Sequence, residues 1–155
     1  MNEVRTRLGA HPFLAGMTGG DVDLLAEQAT IRRWPAQTHL FLEHRPADRF
    51  FLLVEGLVAI EMLVPGRGTV VLETVRAGEA LGWSWLFPPY TWHFGACTVE
   101  PTQAVVLDAA GVRALCERRP TFGYQLMCRI AGVVIHRLQA ARLRLMDVYG
   151  HVGAG

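Results

Sequence analysis

The sequence contains no lysine: all fifteen of its basic residues are arginine. That skew arises from genome base composition as easily as from chemistry. An excess of one charge is missing too. Fifteen basic residues stand against 14 acidic ones, for a formal net charge of +1, so no global field draws the chain to nucleic acid or to a membrane surface. Long apolar runs are absent. The longest, FFLLVEGLVAI, is interrupted by Glu55 and Gly56 and is far too short to span a bilayer. The opening MNEVRTRLGAHPF has no apolar h-region of a signal peptide. The three cysteines, Cys97, Cys116 and Cys128, form no C-x-x-C pair, and unpatterned thiols suit reduced residues in a cytoplasmic protein.

Catalytic signatures are missing as well. There is no nucleophile elbow, no pair of carboxylates and no glycine-rich phosphate loop, so no catalytic residue and no enzymatic activity is expected. A barrel metal site wants two histidines two apart with a glutamate nearby. His39 and His44 with Glu43 lack that spacing, and His93 and Cys97, four apart, face one way only in a regular strand. Each histidine reads as a surface or hydrogen-bonded residue, and no metal site is expected.

What is present is core-forming material. A chain of 155 residues that is 51% hydrophobic and 19% charged is not disordered and is long enough for one domain with a real core. Thr18 caps an expected helix from about Thr18 to Ala29, with Asp21 and Asp23 at its positive end. Short strand candidates follow at Ala29–Trp34, His39–Glu43, Phe50–Val54, Leu57–Leu63, Thr69–Val75, Phe94–Val99 and Ala104–Leu107, separated by turn signals such as VPGRG and RAGEALG. Many short strands at this spacing predict an antiparallel barrel or jelly roll over about 29–108. After Asp108 the pattern turns helical, to about residue 147: a short helix ending near Pro120, then one of about 28 residues, near 42 Å long. In the long helix Met127, Ala131, Val134, Leu138, Ala141, Leu145 and Val148 alternate spacings of four and three, a heptad seam. The seam predicts a parallel homodimer; packing on its own barrel is the competing use.

The stretch GWSWLFPPYTWHF, Gly82 to Phe94, holds three tryptophans, two phenylalanines, a tyrosine and two adjacent prolines. The prolines rule out a helix interior or a central strand. The segment therefore either plugs a core or walls a cavity.

The element order, together with ADRFFLLVEGLVAI and RAGEALG at their separation and the RLQ of Arg137–Gln139, resembles the cyclic nucleotide-binding domain of the catabolite-activator (Crp/Fnr) type of bacterial regulator. The resemblance runs from about His11 to Gly150. It implies a mainly β fold: an antiparallel β-roll (a jelly-roll-like double-stranded β-helix) with an N-terminal helix and a long C-terminal helix. It also implies that the segment after Gly82 is a phosphate-binding cassette, whose helix start holds the cyclic phosphate. In the family a glutamate after the cassette glycine binds the ribose and an arginine near the cassette's end pairs with the phosphate. Here Trp83 takes the glutamate position and Trp92 or His93 the arginine position, and no arginine lies between Arg76 and Arg113. Losing both grips weakens binding by about two to four orders of magnitude, so tight binding of cyclic AMP or cyclic GMP is not expected.

The remaining candidates for a ligand site are Gly82, Trp83, Ser84, Trp85, Trp92 and His93. Arg137 and Arg142, at helix positions that face the ligand in the family, join them. Ser84 can cap a short helix SWLF, His93 can donate, and the indoles can stack on a nucleotide-like or other planar ligand. The opposing reading is that these aromatics fill the vacated pocket. Two functions follow: a dimeric small-molecule sensor that signals through its long helix, or an interaction module with a filled pocket, an accessory subunit of a larger assembly, a redox assembly among the candidates. A transcription regulator is the weakest family-based reading, because only HVGAG follows Gly150 and a DNA-reading module needs about 60–70 residues. The expectation is thus a stand-alone domain without direct DNA contact.

Overall fold

The computed structural model describes residues 2–153. Helix α1 (Asn2–Ala10) and a 3-10 turn (Pro12–Leu14) lead into α2 (Gly19–Ala26). Eight strands follow: β1 (Ala29–Trp34), β2 (His39–Phe41), β3 (Arg49–Glu55), β4 (Leu57–Val64), β5 (Gly68–Arg76), β6 (Ala80–Leu81), β7 (Gly95–Thr98) and β8 (Thr102–Asp108). A second 3-10 turn, Ser84–Leu86, lies between β6 and β7, and α3 (Ala109–Arg118) and α4 (Pro120–Gly153) complete the order. The strands form two four-stranded antiparallel sheets, β1-β8-β3-β6 and β2-β7-β4-β5. The expected antiparallel β-roll with flanking helices is the fold observed.

Burial explains which strands read as apolar runs. Phe50 to Leu53 on β3 and Thr102 to Leu107 on β8 are buried throughout. These two strands are central in the first sheet, with the barrel interior on one face and helices on the other, so both faces must be apolar. The edge strand β1 instead mixes half-buried and exposed positions, and in the edge strand β5 only Val75 is buried. Gly56, at φ 105°, carries the chain from β3 to β4 against the backbone of Pro101 and Thr102, where a side chain has neither room nor an allowed conformation.

Several boundaries move from their expected places. The Thr18 hydroxyl accepts from the Asp21 amide and caps α2 as expected, but α2 ends at Ala26. Strand β2 is only three residues, and β6, two residues long, is too short to show alternation. Helix α1 has no strong apolar stripe and was not expected; Leu8, fully buried, anchors it. Asp108 caps α3 by accepting from the Gly111 amide at 2.9 Å. Helix α4 runs 34 residues, about 51 Å, and so extends past the expected end. Pro120 starts it, where a missing N–H costs nothing. Phe122, Leu126 and Ile130, spaced by four, bury its first turns, while Gly123 lets α4 approach Cys116 of α3 closely.

His11 ties the N-terminal segment to β3. Its Nε2–H donates to the Leu53 carbonyl at 2.7 Å and its Nδ1 accepts from the Phe13 amide at 3.2 Å. Burial lowers its pKa below 6.5, against an opposing contribution from the Leu53 bond. A protonated ring has no acceptor for the Phe13 amide. The folded protein therefore favours neutral His11, and between the lowered pKa and 6.5 the unfolded chain binds more protons. Thermal unfolding followed by circular dichroism should show full His11-linked stability above about pH 6.5, falling as pH drops below that value; His11→Asn should flatten this part of the pH slope.

Candidate functional site

The aromatic cassette is folded into the barrel mouth. Gly82 turns the chain at φ 89°. Trp83 then occupies the cap position of the Ser84–Leu86 turn, with no side-chain capping bond. Ser84 was expected to cap this helix; instead its hydroxyl lies 3.2 Å from His93 Nδ1, clasping the start of the cassette to its end. Trp85, fully buried, donates its Nε1–H to the Gly82 carbonyl at 2.9 Å and packs 5.1 Å from the Phe50 ring. Arg113 of α3 donates to the Trp85 carbonyl and lies over the Tyr90 ring at 4.2 Å. The cassette's far end is stitched to the β2–β3 loop: the Trp92 amide donates to the Arg45 carbonyl, and the His44 amide donates to the Trp92 carbonyl.

Trp92 is the centre of this arrangement. Its indole is 3% exposed and lies flat on Phe41, with ring centres 3.7 Å apart and planes 14° from parallel. Gly82 lies directly against the indole, where a Cβ would stand 2.8 Å from the ring, a distance that real Cβ atoms do not tolerate. The glycine thus serves the stack as well as the turn.

Arg137 closes the mouth from α4. Its guanidinium donates to the Ala80 carbonyl, sits 3.6 Å from a Glu73 carboxylate oxygen and lies 4.8 Å over the Trp83 ring. Only 12% of the arginine side chain and 22% of the glutamate's are exposed. Burial lowers the arginine's pKa, opposed by Glu73 and then Glu79; guanidinium stays charged across the accessible pH range. What remains among Phe41, Gly82, Trp83, Trp92, Phe94 and Arg137 is a cavity of about 20 Å³, room for a water molecule or two.

A larger groove of about 420 Å³ lies outside this plug, between the Ser84–Leu86 turn and α4. Trp83, Phe87 and His93 form one wall, and Met127, Ala131 and Val134 the other.

Gly82, Trp83, Ser84, Trp92 and Arg137, expected around one ligand, do converge on the small cavity. His93 is exposed and turned to the outer groove. Trp85 packs into the core on the other side and offers no free face. Arg142 is exposed and lines neither space, because five residues past Arg137 it sits on a different face of α4. The heptad seam divides: Ala131, Leu138 and Leu145 are exposed, whereas Met127 and Val134 are half-buried beside the cassette. Phe41, Ile60 and Glu73 line the cavity without having been foreseen; no sequence spacing connects them to the cassette, since separate strands deliver them.

Residues 31–119 match the family model of the cyclic nucleotide-binding domain. The CRP-like cAMP-activated global transcriptional regulator of Mycobacterium tuberculosis is 24% identical over 148 residues, which are 96% of this chain and 63% of the regulator. The chain thus spans just under two thirds of the length of the curated relatives it matches. Among solved structures, a candidate cyclic nucleotide-binding protein from Geobacter metallireducens GS-15 superposes with a TM-score of 0.77 at 28% identity, covering 86% of this chain and 97% of that one. A cyclic nucleotide-binding domain from Methylobacillus flagellatus KT gives 0.79 at 18% identity, covering 94% and 82%; at that identity the likeness is one of fold alone.

Removing the plug should be costly. Trp92→Ala is expected to lower the unfolding free energy by about 3–5 kcal/mol, read from urea unfolding. Gly82→Ala should destabilise as well, because both φ and the indole oppose a Cβ.

Proposed function

The chain belongs to the cyclic nucleotide-binding domain family, and on that premise we propose that it is a non-enzymatic regulatory domain whose nucleotide cradle is filled by its own side chains. It acts through protein contacts, first among them a parallel homodimer through α4. The observation that carries this reading is the Trp92–Phe41 stack under the Arg137 lid, which leaves about 20 Å³ where small-molecule pockets occupy about 300–1,000 Å³. The charges that would grip ribose and phosphate are replaced by Trp83 and by Trp92 or His93. Arg137, the one cation among the described residues that lines the cavity, is engaged by Glu73 and the Ala80 carbonyl.

Support for the dimer comes from what α4 leaves in water. Tyr124, Leu138 and Leu145 are 69%, 49% and 57% exposed, and with Ala131 they recur every seven residues. Ile135, one turn from Ala131, is 53% exposed. Each apolar side chain of this size contributes about 1.5–3 kcal/mol on burial, and a monomer forgoes that. The outer groove beside Met127 and Val134 continues this apolar strip. Among the described residues no helix is long and apolar enough to cross a membrane, and a cytoplasmic location goes with the reading.

The outer groove also favours a second reading, as the site of a planar ligand. Its 420 Å³ and the Trp83 and His93 rings suit a nucleotide-like or other flat molecule, whose arrival would shift α4 against the barrel. Transcription control, the role named for the curated relatives, is a third reading and requires a DNA-reading module.

Two measurements separate these readings. Against cyclic AMP, cyclic GMP, ATP, NADH, NADPH and nucleotide second messengers, the melting temperature and tryptophan emission should stay unchanged; a response to a cyclic nucleotide would sink the filled cradle, and a response to another member would support the groove ligand. Light scattering should report about twice the 17.2 kDa chain mass, and Leu138→Glu should halve it by burying a charge in the seam. A monomeric wild type removes the dimer.

A further inference from the structure

Three donor side chains meet on the outer face of the second sheet, away from the cassette. They come from three adjacent strands: His39 from β2, Cys97 from β7 and Glu61 from β4. His39 pairs directly with Cys97, which on its other side pairs with Ala59. Glu61, two residues past Ala59, is on the same face as Ala59 and opposite Gly95, whose missing side chain leaves the carboxylate free to lean toward Cys97. The donor atoms of the three residues lie within 4.8 Å of one another, and His39 Nε2 is 3.1 Å from Glu61 Oε1. Among the described residues this is the one grouping of three or more histidine, cysteine and acidic donors at such range.

A β-bulge creates the arrangement. Between the pairs His39–Cys97 and Phe41–Ala96, β2 advances two residues while β7 advances one. In a regular strand His39 and Phe41 would share a face. The extra residue reverses that relation, so Phe41 turns inward onto Trp92 while His39 stays out, 52% exposed at its side chain.

We propose that His39, Glu61 and Cys97 form a binding site for a zinc-like divalent cation. One thiolate, one imidazole and one carboxylate make a borderline-soft set that suits zinc. Tetrahedral ligands at about 2.0–2.3 Å from zinc stand about 3.3–3.8 Å apart, so closure needs movements of about 1 Å. The exposed His39 side leaves a fourth position for water. Burial, then the Glu61 carboxylate, raises the Cys97 pKa. The same carboxylate that opposes an isolated thiolate favours a thiolate bound to a dication. Binding forms the sulfur–metal bond and releases the thiol proton to solvent. The cation would clip β2, β7 and β4 together behind Phe41, the residue on which Trp92 rests.

The test uses the full chain, reduced and stripped of metal, with cobalt(II) as spectroscopic probe and zinc as competitor. One cobalt per chain should produce a thiolate-to-metal charge-transfer band in the near ultraviolet, zinc should abolish it, and zinc should raise the melting temperature. Cys97→Ser should eliminate the band, while Cys116→Ser and Cys128→Ser should keep it. Since losing even an outer-shell partner weakens metal sites about 10–100-fold, His39→Ala and Glu61→Gln should each weaken cobalt binding by about tenfold or more. Far-ultraviolet circular dichroism of each variant confirms folding. A wild type with no band in excess cobalt, a band that survives in Cys97→Ser, or undiminished affinity in both His39→Ala and Glu61→Gln would overturn the site.

Discussion

The indole of Trp92, flat on Phe41, is the contact that the rest of this structure is arranged around. Burying an aromatic of that size removes about 150–250 Å² from water, several kcal/mol at about 25 cal/mol per Å². The stack imposes its needs on three separate elements. Gly82 must lack a side chain, the His44–Ala47 loop must hold the far end of the cassette at Tyr90 and Trp92 by backbone hydrogen bonds, and β2 must bulge so that Phe41 faces inward. Without these rings the mouth of the β-roll would keep a hydrated hole. Close packing of protein interiors makes a dry, filled mouth the more stable solution.

Arg137 adds a different kind of constraint. A charge that is only 12% exposed is costly to bury unless it is paired and hydrogen-bonded, and Glu73, the Ala80 carbonyl and the Trp83 ring meet that requirement together. The clasp joins α4 to β5, β6 and the cassette, so the position of the long helix is coupled to the state of the mouth. The first turns of the helix are pinned by Phe122, Leu126 and Ile130. Beyond Arg137 only isolated contacts such as Arg144 to the Leu72 carbonyl hold it, and its apolar side chains face outward.

The same bulge that serves the plug also assembles the His39–Glu61–Cys97 cluster on the opposite face. Each sheet position has two sides, and an inserted residue decides which side chain goes where. The core and the outer surface of the second sheet are therefore not independent: a change at Leu40 or Phe41 alters both.

Strand propensity, turn glycines and helix caps are local properties, so the fold was legible in the residues themselves. Strand β1 matches its expected span, Thr18 and Asp108 cap their helices, and the change from strand to helix falls at Asp108. The crowding of aromatic rings into one segment, Gly82 to Phe94, was likewise readable as composition. Whether those rings wall a cavity or fill it was not, because that depends on Phe41, Ile60 and Glu73, brought in from strands far apart in the chain. Ser84 as a clasp rather than a cap, Arg142 left outside the mouth, and the divided helix seam have the same origin. A heptad pattern records which residues share a helix face, but only packing assigns each face to the barrel or to solvent. The proposed His39–Glu61–Cys97 site escaped spacing arguments entirely, since its three donors are neighbours across strands and not along them.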